Sequence, residues 1–362
     1  MTDPSRPAEK AQNSLSYAEA GVDIDAGNEA VDRIKAHVAT TRRPEQLDAL
    51  GGFAGMFRLP AGLRDPVLVS CTDGVGTKLL VAIAADAHAT VGIDLVAMSV
   101  NDLVVTGAQP LFVLDYIATG KLAPAHAESI VAGICEGCRQ SNTALLGGET
   151  AELPGMYAEG HYDLALTAVG VVERESIVGP DRVEVGDVVL GLASDGLHSN
   201  GYSLARRALL HEDHAGLSLT DTLPGSEMTV GEALLRPTRI YVRSMLAAFA
   251  IEGAPVHAAA HITGGGLLEN PPRALREDQR VRLDLSEVPA DPIFEVIAAQ
   301  GVAREEMWRT FNCGIGMLVY VKAERADEVA KVLADHGERV VRLGTVETRE
   351  GHDTPQVELL PG

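Results

Sequence analysis

PVLVSCTDGVGTK, residues Pro66 to Lys78, decides the reading of this chain. An apolar run rich in Val and Leu ends at Thr72, and Asp73, Gly74, Gly76, Thr77 and Lys78 then crowd into the next six positions. The pattern predicts a strand that delivers polar groups to a bend. Glycines there let backbone N–H groups curl towards an anion, Lys78 adds a mobile positive charge, and Asp73 can hold a metal against phosphate oxygens. A nucleotide is the expected ligand. A tight turn with a solvated Asp and Lys fits the segment equally well on its own.

Standard phosphate motifs do not fit. A P-loop needs a Gly five positions before a Gly-Lys pair, and Asp115 stands there before Gly120 and Lys121. A dinucleotide fingerprint needs a third Gly where Leu79 stands.

The chain has 362 residues, which predicts two domains, and 46% hydrophobic residues with 37 glycines and one Trp suit an α/β enzyme of small aliphatic side chains. Against 30 Lys and Arg stand 51 Asp and Glu, a formal net charge of -21 that excludes nucleic acid and anionic membrane as expected partners. A phosphorylated ligand then needs a locally positive site built from backbone N–H groups, Mg²⁺ and a few basic side chains. Residues 1 to 20 carry Asp3, Glu9 and Glu19 without an apolar segment, and no long uncharged run follows, so a cytoplasmic location is expected. Cys135 and Cys138 have the spacing of a metal or redox pair, but with Ile130, Val131 and Ile134 they recur at helical intervals and read as core thiols.

The segments order themselves as a flexible tail over residues 1–15, a first α/β domain over 16–174 and a second over 175–362. Strands are expected at Pro66 to Thr72, Leu111 to Ile117, Ala144 to Gly147 and Leu164 to Val172, with helices at Ala26 to Val38, Asp94 to Thr106 and Pro124 to Gln140. In the second domain the expected elements include a strand over Asp187 to Ala193, a helical stretch from Gly231 to Ile251, and strands at Val281 to Leu285 and Gly314 to Val321. A helix from Arg325 to His336 and a strand from Arg339 to Val346 then give strand, helix, strand, half of a ferredoxin-like unit.

Polar residues at element ends carry the chemistry. Asn101 and Asp102 close a helix stopped by Gly107 and Pro110, and Glu149 follows Gly147 and Gly148. Asp73, Asp102 and Glu149 together with Lys78 match what Mg²⁺ and a polyphosphate require. Each alone also reads as a solvated carboxylate beside a turn. Ser199 and Asn200 stand where a helix is expected to begin, and HITGGGLLEN, His261 to Asn270, offers a second glycine loop for close backbone approach to a ligand.

In this order SYAEAGVDIDAGN, GGFAGMF, TDGVGTK, GIDLVAMSVNDLVVTGAQPLFVLDY, LLGGETAELPGMY, HSNGYSL, HITGGGLLEN and RTFNCGIGM closely resemble the phosphoribosylformylglycinamidine cyclo-ligases, from about Ser16 to about Leu343. The resemblance implies ATP-dependent closure of formylglycinamidine ribonucleotide to aminoimidazole ribonucleotide with release of ADP and phosphate, in purine biosynthesis. It implies a homodimer in which first-domain sheets join into a barrel. Metal binding by Asp73, Asp102 and Glu149 is implied, with ATP contacts from Gly74, Gly76, Thr77, Lys78, Asp94, Asp102 and Gly148. Asp73, Lys78 and His198 would be catalytic, and His198, Ser199, Asn200, Thr263, Gly264 and Gly265 would bind substrate. The loop around Asp23 and Asp25 would close over ATP. The alternatives are another ATP-dependent kinase or synthetase of the same superfamily and a non-catalytic ATP-sensing module.

Overall fold

The computed structural model describes residues 21–47 and 52–360, so the expected tail over residues 1–15 lies outside the described residues. Burial alternates along β1 (Pro66–Gly74), as a strand with one covered face requires. It joins β2 (Gln109–Thr119), β3 (Ala144–Glu152) and β4 (Tyr162–Glu173) in a mixed sheet of order β1-β4-β2-β3, in which β2 and β3 run parallel. Four helices accompany it: α1 (Ile24–Ala39), α2 (Leu79–Ala85), α3 (Ala89–Val104) and α4 (Pro124–Ser141). Helix α3 packs on β1 and β4 and against α4, where Cys135 and Cys138 are fully buried as core thiols. Asp23 caps α1, its carboxylate accepting from the N–H groups of Asp25 and Ala26.

The second sheet has six strands: β5 (Val188–Ala193), β6 (Val256–His261), β7 (Gln279–Asp284), β8 (Ile315–Val321), β9 (Val340–Thr348) and β10 (Val357–Leu360), in the order β10-β7-β9-β5-β8-β6. Only β10 and β7 are parallel. All seven residues of β8 are buried, so its run IGMLVYV is apolar throughout rather than alternating. Around it lie α5 (Tyr202–Leu210), α6 (Val230–Leu235), α7 (Val242–Phe249), α8 (Gly266–Glu269), α9 (Pro292–Ala299), α10 (Arg304–Thr310) and α11 (Ala326–Asp335). Strands β8 and β9 flank β5 antiparallel to it and are joined through α11, the split βαβ arrangement expected from the sequence.

Three expectations are corrected. The stretch Gly231 to Ile251 is two helices, because Arg236 precedes Pro237 and is pushed to extended backbone. Gly147 and Gly148 do not end their strand, which runs on to Glu152. Gly148 is needed inside it because the Asp115 carboxylate on β2 lies over the place a Cβ would occupy. Ser199 and Asn200 do not cap α5; its N-cap is Gly201 in the left-handed region at φ 76°.

Candidate functional site

The glycine-rich bend of the first domain and the last turns of α3 meet the loops of the second domain. After β1 the chain makes a 3₁₀ turn over Gly76–Lys78 and enters α2, while Asp94 and Asn101, seven residues apart on α3, present one face to the same junction. Lys78 is wholly buried, forms an ion pair with Asp94 at 2.8 Å and donates to the carbonyls of His198 at 3.0 Å and Arg236 at 2.6 Å. Asp94 also accepts from the N–H and hydroxyl of Thr238, both at 2.6 Å. Asn101 accepts from the Tyr241 N–H at 3.0 Å and donates to the Arg239 carbonyl at 2.9 Å.

These contacts correct two expected roles. Lys78 is no mobile phosphate contact, since its ammonium is enclosed by three protein acceptors. Burial pulls its pKa down and Asp94 opposes that fall. Asp94 is equally enclosed, its oxygens meeting Lys78 and Thr238. Together they fasten one domain to the other.

Asp73 and Asp102 are less enclosed than Lys78 and Asp94. Asp73 is half-buried at the end of β1, with one oxygen accepting from the Gly74 N–H at 2.8 Å. Burial raises its pKa, the neighbouring Asp102 charge adds to that, and Gly74 and His261 act in the opposite sense. Asp102, at the end of α3, accepts from Nδ1–H of His261 at 2.8 Å across the domain boundary. His261 ends β6, and its Nε2 is buried without a partner among the described residues. Sequence reasoning singled out the glycines after His261 but not the histidine, although a polar residue closing the apolar strand VHAAAH was a usable signal.

His198 is corrected as well. Its ring is 1% exposed and sits in the left-handed region at φ 61°, with Nε2 accepting from the Asp195 N–H at 3.1 Å. Burial drives its pKa well below the ordinary range, and the positive groups around it act in the same direction. The ring braces the loop that supplies the carbonyl bound by Lys78, the role of a core histidine, and its Nδ1 is buried without a partner among the described residues.

Ser199 is also buried, paired with Thr238 at 3.1 Å. Asn200 differs: its side-chain Nδ2 is buried without a partner among the described residues, and its Oδ1 lies near Gly264. The Thr263–Gly266 turn is held by Asn270, whose amide donates to the carbonyls of Thr263, Gly264 and Gly266 at 3.2, 3.2 and 2.9 Å. Gly265 adopts φ 93°, open to glycine at little cost. Gly201, Gly264, Gly265, Glu269, Glu306, Arg309 and Thr310 line a pocket of about 320 Å³ beside these residues, in which Arg309 pairs with Glu269 at 2.7 Å and Thr310 donates to Glu306 at 3.0 Å.

Residues 54–172 match the AIR synthase related protein, N-terminal domain, and residues 184–354 match its C-terminal domain. The chain belongs to the AIR synthase-related family. Its fold is similar to that of thiamine-monophosphate kinase from Stenotrophomonas maltophilia K279a, at 21% identity and a TM-score of 0.65 over 91% of this chain and 95% of that one. Hydrogenase maturation protein HypE in complex with ATP is similar at 17% identity and a TM-score of 0.65, covering 92% of this chain and 91% of that one. T. maritima PurL complexed with FGAR is similar at 15% identity and a TM-score of 0.54, covering 91% of this chain and 51% of the longer one.

Within this member of the AIR synthase-related family the three expected metal ligands do not converge. Register places Asp73 with Leu166 and Asp115, on the face towards the helices, whereas Glu149 pairs with Tyr116 on the opposite face. Asp73 and Glu149 also stand on the two edge strands, three strand spacings or about 14 Å apart. Asp73 and Asp102 remain as two oxygen donors of the kind a hard cation takes; burial raises the Asp73 pKa and the Asp102 charge adds to that rise.

Proposed function

We propose that the chain is an ATP-dependent cyclo-ligase that converts formylglycinamidine ribonucleotide to aminoimidazole ribonucleotide, ADP and phosphate. The observation that carries the reading is the bond from His261 of the second domain, just before the Gly264 and Gly265 turn that lines a pocket, to Asp102, whose charge acts on Asp73. The ordered motifs from TDGVGTK to RTFNCGIGM support the substrate assignment.

Asp73 and Asp102 would hold Mg²⁺, which when bound offsets the charge of the ATP phosphates. The unpartnered Asn200 amide and the backbone of Gly264 and Gly265 would bind the ribose phosphate, with Arg309 joining them on release from Glu269. An amide oxygen is a poor leaving group. Transfer of the γ-phosphoryl group to the formyl oxygen makes it a phosphate, the amidine nitrogen attacks the same carbon, and the C–O bond breaks to release phosphate as the nitrogen loses its proton. The Lys78, Asp94 and Asn101 contacts hold the two domains in one arrangement around that step, which keeps the nitrogen in reach and water out.

We propose a homodimer, with the outer face of the first sheet covered by a second copy. Leu68, Leu114 and Tyr116 are 61%, 39% and 40% exposed there, next to Glu149. No helix among the described residues is long and apolar enough to cross a membrane. Labelling the formyl oxygen with ¹⁸O tests the chemistry: the label is expected in inorganic phosphate. Its retention in the organic product or its release as water would rule the route out.

A further inference from the structure

Far from the cleft, three segments bring a carboxylate and two imidazoles together. Asp86 caps the C-terminus of α2, His88 immediately precedes α3, and His126 lies in the first turn of α4. Asp86 Oδ1 is 3.2 Å from His88 Nε2 and 3.5 Å from His126 Nε2, and the two rings stand 4.2 Å apart. His88 and Asp102 occupy the two ends of α3, so about 20 Å separates this cluster from the proposed ATP site.

We propose that Asp86, His88 and His126 form a binding site for a borderline divalent cation, zinc above all. Two imidazoles and a carboxylate are the donor set such an ion prefers, and their donor atoms all lie within 4.8 Å of one another. Tetrahedral zinc with bonds of about 2.0–2.1 Å sets neighbouring donor atoms about 3.3 Å apart. The observed separations of 3.2 and 3.5 Å bracket that edge. On its far side His88 Nδ1 meets the Tyr162 hydroxyl at 2.9 Å, a contact that fixes the ring and, with Nδ1–H donating, turns the Nε2 lone pair towards the ion.

A cavity of about 280 Å³ is lined by His126 and by Tyr162, the partner of His88, and gives water a route to the His126 side of the cluster. The ion would tie the α2–α3 corner to the start of α4, and this assignment is independent of the ATP-dependent reaction.

The test uses full-length protein stripped with a chelator, then titrated with Zn²⁺ while the melting temperature is followed, and with Co²⁺ as a visible-absorption probe. One equivalent of Zn²⁺ is expected to raise the melting temperature, and Co²⁺ to give the intense bands of a tetrahedral site, which excess Mg²⁺ leaves unchanged. Asp86→Asn and His126→Ala change exposed side chains, and Asn tolerates the left-handed backbone of Asp86 at φ 50°, so both variants should fold and lose both signals. Tyr162→Phe should weaken Co²⁺ binding roughly tenfold. Absence of saturable binding, or an unchanged Co²⁺ spectrum in the Asp86→Asn/His126→Ala double variant, would overturn the assignment.

Discussion

His261 of the second domain donates through Nδ1–H to Asp102 of the first at 2.8 Å, so the position of a proposed metal-binding carboxylate depends on how the two domains meet. His261→Ala should leave the protein folded, raise KM for Mg-ATP and lower kcat. The expected combined loss is roughly tenfold to hundredfold, as for partners that orient metal-binding groups. Steady-state kinetics across a Mg²⁺ series checks it. A loss that excess Mg²⁺ does not relieve would assign His261 another role.

The Lys78–Asp94 pair makes a different prediction. Both side chains are fully buried, so removing one partner leaves an uncompensated charge. Lys78→Met or Asp94→Asn should destabilise the protein by about 3–5 kcal/mol, whereas the double replacement should cost less than the sum of the two. Denaturant unfolding of all three variants gives the comparison. Full stability with lost phosphate affinity would return Lys78 to the role the sequence suggested.

Asp115 supplies a pH dependence. Its carboxyl faces inwards over Gly148, supported only by its own backbone N–H, and burial pushes its pKa up to about 7. A folded-state pKa above the unfolded value means that the folded state binds the proton more tightly. Its contribution to stability is therefore present at low pH and is lost as pH rises from about 4 to about 7. Asp115→Asn should raise the melting temperature at pH 8 and have little effect at pH 4.5. Equal shifts at both values would show that the gain is not electrostatic.

The outer face of the first sheet carries the prediction on assembly. Leu114→Asp should convert a dimer to a monomer in analytical ultracentrifugation and abolish turnover if Glu149 completes the site from a second copy. Monomeric protein with full activity would remove Glu149 from the metal site.

Much of the fold was legible because local chemistry marks it. Alternation along Pro66–Gly74 and the unbroken apolar run of β8 announced strands, and Asn142, in the left-handed region at φ 55°, closes a helix read from its 3.6-residue period. The site was legible as positions but less so as roles. Lys78, Asp94 and His198 stood out as charged or titratable groups near glycines, yet their partners Arg236 and Thr238 lie far along the chain, and only the meeting of two domains shows them to be enclosed. Glu149 was misplaced because spacing in sequence does not reveal which sheet face a residue takes, and register does. His126 and Asp86 escaped notice for the same reason, since no motif joins them.

The central claim is tested most directly by incubating purified protein with Mg²⁺, ATP and formylglycinamidine ribonucleotide and quantifying all three products. Cyclo-ligase chemistry predicts ADP, phosphate and aminoimidazole ribonucleotide in equal amounts, with Asp73→Asn folded but nearly inactive. ATP consumption without the imidazole, or near-normal turnover by Asp73→Asn, would contradict it.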